Sequence, residues 1–217
     1  DHPHLRILIS VGGWTWSKGF SDAALTAKSR RVFVASAVDF VRRHDLDGFD
    51  VDWEYPGLPG DGNPHRPEDR ENSTALMADL RTALDREGAR RGRPLLLTFA
   101  AGASREFLAH TEMAKVQAVV DFVNLMTYDF RVANPGEPAG HHANLYPSPA
   151  DPRRHSADGA VRDFLAAGVP ASKLVLGVPF YSRPGEVLYR QLIAANPAAA
   201  RVDQFDYNGK MTFYNGV

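Results

Sequence analysis

The chain has 217 residues, of which 44% are apolar, and a formal net charge of −1. These values predict one globular domain, and the near-neutral charge of mixed sign argues against nucleic acid or an anionic membrane as a partner. The lack of cysteine excludes disulfides and thiolate metal sites. No apolar run reaches the ~20 residues of a membrane span. A short basic run, Arg90, Arg91 and Arg93, is interpreted as a solvated helix end.

The hydrophobic pattern alternates between strands and helices along the chain. Apolar runs that end at glycine or at polar residues predict strands, and apolar residues three or four apart, such as Leu76, Leu80 and Leu84, predict helices. This order predicts a parallel α/β protein. The predicted strands cover 5–11, 46–54, 95–101, 121–129 and 174–181, the predicted helices cover 21 or 26 to 44, 72–90, 107–120, 157–167 and 188–195, and a proline-rich loop covers 131–155.

Three acids alternate with three large apolar residues along the strand predicted over 46–54. Because residues two apart on a strand share a face, the acids point to one side and the apolar side chains to the other. Like charges in a row would repel without structural benefit on a solvated edge strand, so we favour an interior strand over that alternative. The acids are Asp50, Asp52 and Glu54, and the apolar residues are Phe49, Val51 and Trp53.

An open doubly wound sheet and a (β/α)8 barrel both fit the alternation of strands and helices. In both folds the ligand site lies at the carboxyl ends of the strands. A ladder of acids that faces inward needs a closed or nearly closed lumen, so we predict the barrel. The polar residues at the predicted strand ends are Glu54, Tyr128, Asp129, Tyr181 and Arg183.

The crowding of Asp52 and Glu54 predicts that one of them stays protonated, which would suit the outermost group, Glu54, to act as a general acid. A second carboxylate across a cleft is not evident, and a substrate that supplies its own nucleophile, such as the acetamido carbonyl of N-acetylglucosamine, would remove that need. The rival chemistry is a divalent metal held by the three acids. The histidines of the long loop, His141, His142 and His155, lack metal spacing and are interpreted as solvated.

Four motifs carry a resemblance to a known family. The stretch D-G-F-D-V-D-W-E-Y-P at 47–56 closely resembles the D-x-x-D-x-D-x-E signature of family 18 glycoside hydrolases, the bacterial chitinases in particular. Three further stretches resemble that family's motifs in the same order: S-V-G-G-W at 10–14, M-T-Y-D at 126–129 and G-V-P-F-Y-S-R at 177–183. The resemblance implies a (β/α)8 barrel with about strands three to seven present. It also implies a single catalytic domain over 1–217, truncated at both ends and without a large inserted domain.

The resemblance also implies roles for individual residues. Glu54 would protonate the glycosidic oxygen and later activate water, and Asp52 would orient the acetamido group and stabilise an oxazolinium intermediate. Asp50 would lie deeper beside Ser10, Asp47 would be structural, and Tyr128 would donate to the acetamido carbonyl. Trp14 or Trp16 would be either a packing residue or a platform at the rim. The implied substrate-binding residues are Ser10, Trp14, Tyr55, Met126, Asp129, Tyr181 and Arg183.

The resemblance implies a secreted, retaining chitinase, for which cleavage within the chain is favoured over cleavage from a chain end. Its implied partners are chitin or N-acetylglucosamine oligosaccharides. No cofactor, no metal and a monomer are expected. Two alternatives stay open: a lectin that binds glycans without cleaving them, and an endo-β-N-acetylglucosaminidase that acts on N-glycans. The second kind of enzyme usually carries an acid at the position of Trp53, whereas Trp53-Glu54-Tyr55-Pro56 has the chitinase form.

Overall fold

The structure is a computed structural model that describes residues 2, 4–132, 140–149, 151–208 and 210–213. The chain divides into two compact units, one formed by Asp1–Asn124 and Phe164–Val175 and the other by Leu125–Asp163 and Leu176–Val217. The strands are β1 Leu8–Gly12, β2 Gly48–Asp52, β3 Leu96–Gly102, β4 Phe122–Met126, β5 Leu174–Leu176, β6 Gln204–Tyr207 and β7 Lys210–Phe213. The α-helices are α1 Phe20–Ala24, α2 Ala27–Arg43, α3 Asp69–Arg91, α4 Arg105–Ala109, α5 Met113–Val119, α6 Ala157–Ala166 and α7 Tyr189–Ala195.

Five strands form one sheet in chain order, β1-β2-β3-β4-β5. The pairings β1–β2 and β2–β3 are parallel, with Ser10 opposite Asp50 and Asp50 opposite Thr98. Strand β2 therefore has neighbours on both sides, and the alternative of a solvated acidic edge strand is wrong. Helices lie between successive strands, so the predicted parallel α/β class is confirmed.

The apolar face of β2 forms the core of the first unit. Phe49, Val51 and Trp53 are at most 2% exposed. The ring of Trp53 stacks on Phe20 of α1, with 5.4 Å between centroids and 12° between planes, and Phe49 meets Phe33 of α2 edge-on at 6.2 Å. This packing holds the strand against its helices, and it leaves the acids on the opposite face.

Helix α3 begins at Asp69 and ends at Arg91, three residues earlier and one later than predicted. Its leucines at 76, 80 and 84 are fully buried, as their spacing predicts. The basic run at its end is not simply solvated, because Arg91 binds Glu87 at 3.1 Å and Arg93 binds Asp47 at 2.6 Å. Asp47 also accepts the backbone N–H of Ile7 at 2.9 Å, in keeping with a structural role.

One predicted helix is interrupted in the structure, and another begins at the later of its two predicted starts. The segment predicted over 107–120 forms α4 and α5, separated at 110–112, and that prediction of one helix is wrong. For the helix predicted from 21 or 26, the start at 26 is confirmed, because Thr26 caps α2 by accepting the N–H of Ser29 at 3.0 Å. The start at 21 is wrong, because Phe20–Ala24 forms the separate helix α1. Strands β2, β4 and β5 are shorter than predicted, and Glu54 lies two residues beyond the end of β2. The described part of the loop 131–155 contains no helix or strand.

In the second unit, the chain after β5 forms α7, a 3-10 helix at Pro197–Arg201 and an antiparallel hairpin of β6 and β7. Helix α7 agrees with the helix predicted over 188–195, and Leu192 is fully buried among its neighbours. This hairpin was not predicted from the sequence. Among the described residues, no helix combines the length and the apolar character that a membrane span needs.

Candidate active site

The acidic face of β2 begins with Asp50, which is held on three sides. One carboxylate oxygen, Oδ2, accepts a hydrogen bond from Ser10 Oγ at 2.7 Å. The other, Oδ1, accepts from Thr98 Oγ1 and from Asn124 Nδ2, the latter at 3.2 Å. Ser10 and Thr98 face Asp50 because they occupy its register positions on β1 and β3. Asp50 is 9% exposed, and donors on β1, β3 and β4 fix the orientation of its carboxylate.

Asp52 occupies the middle of the ladder and carries the perturbed carboxyl group. Burial, followed by the negative charges of Glu54 and Asp50, raises the pKa of Asp52 to about 7. Its Oδ1 atom is buried and has no hydrogen-bond partner among the residues that the structure describes. Burial and the neighbouring charges therefore favour the protonated carboxyl group of Asp52 below a pH of about 7, and one of its oxygens remains available to a ligand.

The loop after β1 approaches the backbone of Asp52 closely. A Cβ atom at Gly12 would lie 1.8 Å from the carbonyl oxygen of Asp52, and Gly12 has a φ of +117°. Only glycine accepts both conditions. The N–H of Gly13 then donates to the same carbonyl oxygen at 2.7 Å. The two glycines of the S-V-G-G-W motif thus allow this loop to dock at the carboxyl end of β2.

Glu54 is 8% exposed, and both of its backbone polar groups are bound by side chains. Its N–H donates to Ser17 Oγ at 2.9 Å, and its carbonyl oxygen accepts from Asn63 Nδ2 at 2.5 Å. Ser17 and Asn63 are themselves buried. Neither residue was predicted from the sequence, because Ser17 begins a short 3-10 helix, Asn63 lies in a loop, and no periodic pattern links either of them to Glu54.

The aromatic residues near the ladder differ in exposure. Trp14 is 52% exposed and Trp16 is 82% exposed, so neither packs in the core. Tyr55 is half-buried and contacts Phe107 of α4 edge-on, with 6.1 Å between ring centroids. The interpretation of a packing tryptophan is therefore wrong, whereas a platform role stays a prediction.

A second polar cluster lies in the second unit and is centred on Asp129. Arg183 binds both carboxylate oxygens, with Nε at 2.7 Å from Oδ1 and Nη2 at 2.9 Å from Oδ2. Tyr181 donates its hydroxyl to Oδ2 at 2.8 Å. Burial opposes the charge of Asp129, but bonds from His142, Arg183 and Tyr181 hold its pKa well below the usual range. The pKa of Tyr181 is raised by burial and by its bond to Asp129.

The remaining predicted residues of this unit are partly exposed. Met126 ends β4, and the ring of Tyr128 meets that of Tyr181 edge-on at 6.3 Å. His142 contradicts the prediction of solvated loop histidines, because it is 1% exposed and its Nδ1 atom lies 3.2 Å from Asp129 Oδ1. The burial of His142 was missed because this residue belongs to no helical or strand period in the sequence.

A divalent metal was the rival use for the acids. Within the described ranges, no group of three or more histidine, aspartate or glutamate side chains is arranged to hold a metal ion. The carboxylate oxygens of Asp50 instead accept hydrogen bonds from hydroxyl and amide donors. The arrangement is suited to proton transfer and to binding a polar group of a ligand, because it combines a buried glutamate with a neighbouring carboxyl of raised pKa.

Known proteins are similar to this chain in sequence and in fold. The profile of the family described as Glycosyl hydrolases family 18 matches residues 1–208. Chitinase A1 of Niallia circulans is 50% identical over 190 residues, which are 84% of this chain and 27% of that protein. A structure of a family 18 N-acetylglucosaminidase from Paenibacillus barengoltzii is 48% identical, with a TM-score of 0.79 over 83% of this chain and 52% of that one. Chitinase ChiA74 from Bacillus thuringiensis is also 48% identical, with a TM-score of 0.80 over 84% of this chain and 30% of that one.

Proposed function

Because the chain belongs to glycosyl hydrolases family 18, we propose that the protein is a chitinase that cleaves the β-1,4 bonds between N-acetylglucosamine units. The fold is accordingly a (β/α)8 barrel, of which the described residues carry five strands and their helices. The chain spans about a quarter of Chitinase A1 and about half of the similar N-acetylglucosaminidase. Activity, substrate and partners are therefore proposed for the whole protein from the site and from these relatives.

The observation that carries the proposal is the state of Asp52. Its pKa is raised to about 7 by burial and by Glu54 and Asp50, and its Oδ1 atom is buried without a partner among the described residues. A buried oxygen without a hydrogen-bond donor is unfavourable unless a ligand supplies that donor. The N–H of an acetamido group is a suitable donor, so an N-acetylated sugar fits this position.

In the proposed first step, the acetamido carbonyl oxygen of the sugar attacks its own anomeric carbon. Glu54 gives its proton to the glycosidic oxygen as that bond breaks, and the leaving sugar departs as an alcohol. The pKa of Asp52, about 7, leaves its carboxylate form accessible at neutral pH. In that form Asp52 accepts the acetamido N–H and balances the positive charge of the oxazolinium intermediate. The carboxylate of Asp50 is held by Ser10 and Thr98, and its negative charge raises the pKa of Asp52.

In the second step, the carboxylate of Glu54 removes a proton from a water molecule that attacks the anomeric carbon. The oxazolinium ring opens, the acetamido group is restored, and the product keeps the β configuration. The acid of the first step thus becomes the base of the second. The backbone contacts of Glu54 to Ser17 and Asn63 support this role, because they fix the residue on both sides.

The other predicted contacts with the sugar remain proposals that rest on the family motifs. Tyr128 would donate to the acetamido carbonyl, and Tyr55 and Trp14 would line the sugar path. Endo action, a secreted monomer and the lack of a large inserted domain also stay predictions. The substrate-binding roles proposed in the second unit are those of Met126, Asp129, Tyr181 and Arg183.

The test compares the full-length protein with its Glu54→Gln variant on soluble N-acetylglucosamine oligomers, on a high-mannose glycopeptide and on chitin. We expect only the oligomers and chitin to be cut, and we expect the variant to bind oligomers while turning over roughly 10²–10⁴-fold more slowly. Binding without cleavage by the wild type would instead identify a lectin, and cleavage of the glycopeptide alone would identify the N-glycan enzyme. A variant that keeps more than about a tenth of the activity would show that Glu54 is not the acid.

A further inference from the structure

His142 is a buried histidine that the proposed reaction does not use. It belongs to the second unit, in the loop between β4 and α6, and it is 1% exposed. Its ring lies against the ring of Tyr181, with 5.4 Å between centroids. Its carbonyl oxygen accepts the N–H of Phe130 at 3.0 Å. A buried imidazole needs partners for both ring nitrogens, and the identity of those partners shows what it does.

One ring nitrogen, Nε2, lies 3.2 Å from the carbonyl oxygen of Tyr181. A carbonyl oxygen only accepts, so we assign the hydrogen to Nε2. The other nitrogen, Nδ1, lies 3.3 Å from the backbone nitrogen of Asp129 and 3.2 Å from its Oδ1 atom. A neutral ring accepts from the N–H of Asp129, and a protonated ring donates to its carboxylate. In both forms the ring binds Asp129 on one side and Tyr181 on the other.

Asp129 is a residue that needs such support. It has a φ of +57°, in the left-handed region that side chains other than glycine adopt infrequently. Its carboxylate receives two bonds from Arg183 and one from Tyr181. A small rotation of the Asp129 backbone would displace both partners, because all three bonds end on the same two oxygens.

From these contacts we infer that His142 is a positioning residue, which fixes the backbone and carboxylate of Asp129 and thereby sets the Tyr181 and Arg183 side chains for binding an N-acetylated sugar. This inference rests on the proposed function, since the sugar is its ligand. His142 itself does not touch the substrate in this account. Its loss should therefore weaken sugar binding while leaving the proton transfer of Glu54 largely unchanged.

The experiment measures oligosaccharide affinity by calorimetry in the full-length protein, with Glu54→Gln as the parent so that no substrate is cut. His142→Ala should weaken binding by about tenfold, the loss expected for one hydrogen bond to a charged group. His142→Asn, which keeps a polar group near the Nδ1 position, should recover part of that loss. His141→Asn is the matched control on the neighbouring residue, and it should bind like the parent.

A double-mutant cycle with Asp129→Asn distinguishes positioning from general destabilisation. If His142 acts through Asp129, His142→Ala should add little to the loss that Asp129→Asn already causes. Equal losses in both backgrounds, or parental affinity for His142→Ala, would overturn the inference.

A ligand-free measurement separates this inference from the proposed function. The Nε–H resonance of Arg183 in ¹H–¹⁵N spectra reports its bond to Asp129, and it should shift in His142→Ala but not in His141→Asn. If the parent binds no oligomer, the proposed function fails, and the Arg183 resonance still decides whether His142 positions the Asp129 cluster. An unchanged resonance in His142→Ala would then overturn the inference.

Discussion

The side-chain oxygen of Ser17 accepts a hydrogen bond from the backbone N–H of Glu54 at 2.9 Å. The same hydroxyl lies 2.8 Å from the carbonyl oxygen of Gly13 and 3.1 Å from that of Asp52, and it can donate its one hydrogen to either. Ser17 is 1% exposed. One buried hydroxyl therefore links the glycine loop after β1 to the backbone of Asp52 and Glu54.

Ser17→Ala should lower kcat by about tenfold and change KM by less than about threefold, because it leaves the N–H of Glu54 buried without an acceptor. Steady-state kinetics on N-acetylglucosamine oligomers provide the measurement. Ser29→Ala is a suitable control, since Ser29 only completes the cap of α2. That control should lose about 1 kcal/mol of stability and keep its kcat. A Ser17→Ala enzyme with unchanged kcat would show that this contact does not position Glu54.

The sequence was sufficient for features that depend on local periodicity. The alternation of acids with Phe49, Val51 and Trp53 predicted both faces of β2, and the leucines of α3 predicted its buried stripe. Contacts between distant segments had no such signal. Asn63 donates to the carbonyl oxygen of Glu54, nine positions earlier in the chain, and His142 contacts Asp129, 13 positions earlier. Their burial follows from loop conformation, which residue spacing does not encode.

Glu87 near the end of α3 should make stability depend on acid pH. Its side chain is 4% exposed, and Arg42 binds it at 2.8 Å. The hydrogen bond from Arg42, and then that from Arg91, lowers the pKa of Glu87 from 4.5 to about 2, although burial opposes the change. Because the pKa of Glu87 is lower in the folded protein than in the unfolded chain, this group stabilises the folded protein at pH values above 4.5. The stabilisation is lost as the pH falls from 4.5 to about 2.

The melting temperature of Glu87→Gln should therefore be lower than that of the wild type at neutral pH. The difference between the two melting temperatures should shrink as the pH falls from 4.5 to about 2. Thermal unfolding of both proteins across the pH range measures the gap. Asp85→Asn, which removes an exposed carboxylate of the same helix, serves as the control and should show a much smaller gap. A gap for Glu87→Gln that stays constant on acidification would contradict the assigned ion pairs.

Asp52 should have the opposite effect on stability. Its folded-state pKa is raised from 3.8 to about 7, so the folded protein holds a proton that the unfolded chain has already released. Stability from this group therefore falls as the pH rises from 3.8 to about 7 and is level on either side. Asp52→Asn removes this dependence, and denaturant titrations should find the variant increasingly stable relative to the wild type across the window. Parallel stability profiles for the two proteins would argue against a raised pKa.

The last prediction concerns the source of the nucleophile. Asp52 offers a buried oxygen without a partner among the described residues, which suits an acetamido N–H, and the three acids of the ladder come from β2 and the two residues that follow it. If the substrate's carbonyl oxygen attacks the anomeric carbon, oligomers without the N-acetyl group should not be cleaved. Asp52→Asn should reduce turnover much more than affinity, because Asp52 stabilises the charged intermediate. A thiazoline that imitates the bicyclic intermediate should bind much more tightly than the parent sugar, since the site is complementary to that state.

NMR spectra of freshly released product provide the decisive measurement for this mechanism. Two inversions at the anomeric carbon, one by the acetamido oxygen and one by water, leave the β anomer, and mutarotation to the α anomer follows only later. The de-N-acetylated oligomer is the matched control substrate, because it keeps every hydroxyl and loses only the internal nucleophile. An initially α product would require direct attack by water on the glycoside. Equal rates on the two substrates would require a nucleophile from the protein, and either result would exclude the substrate-assisted route.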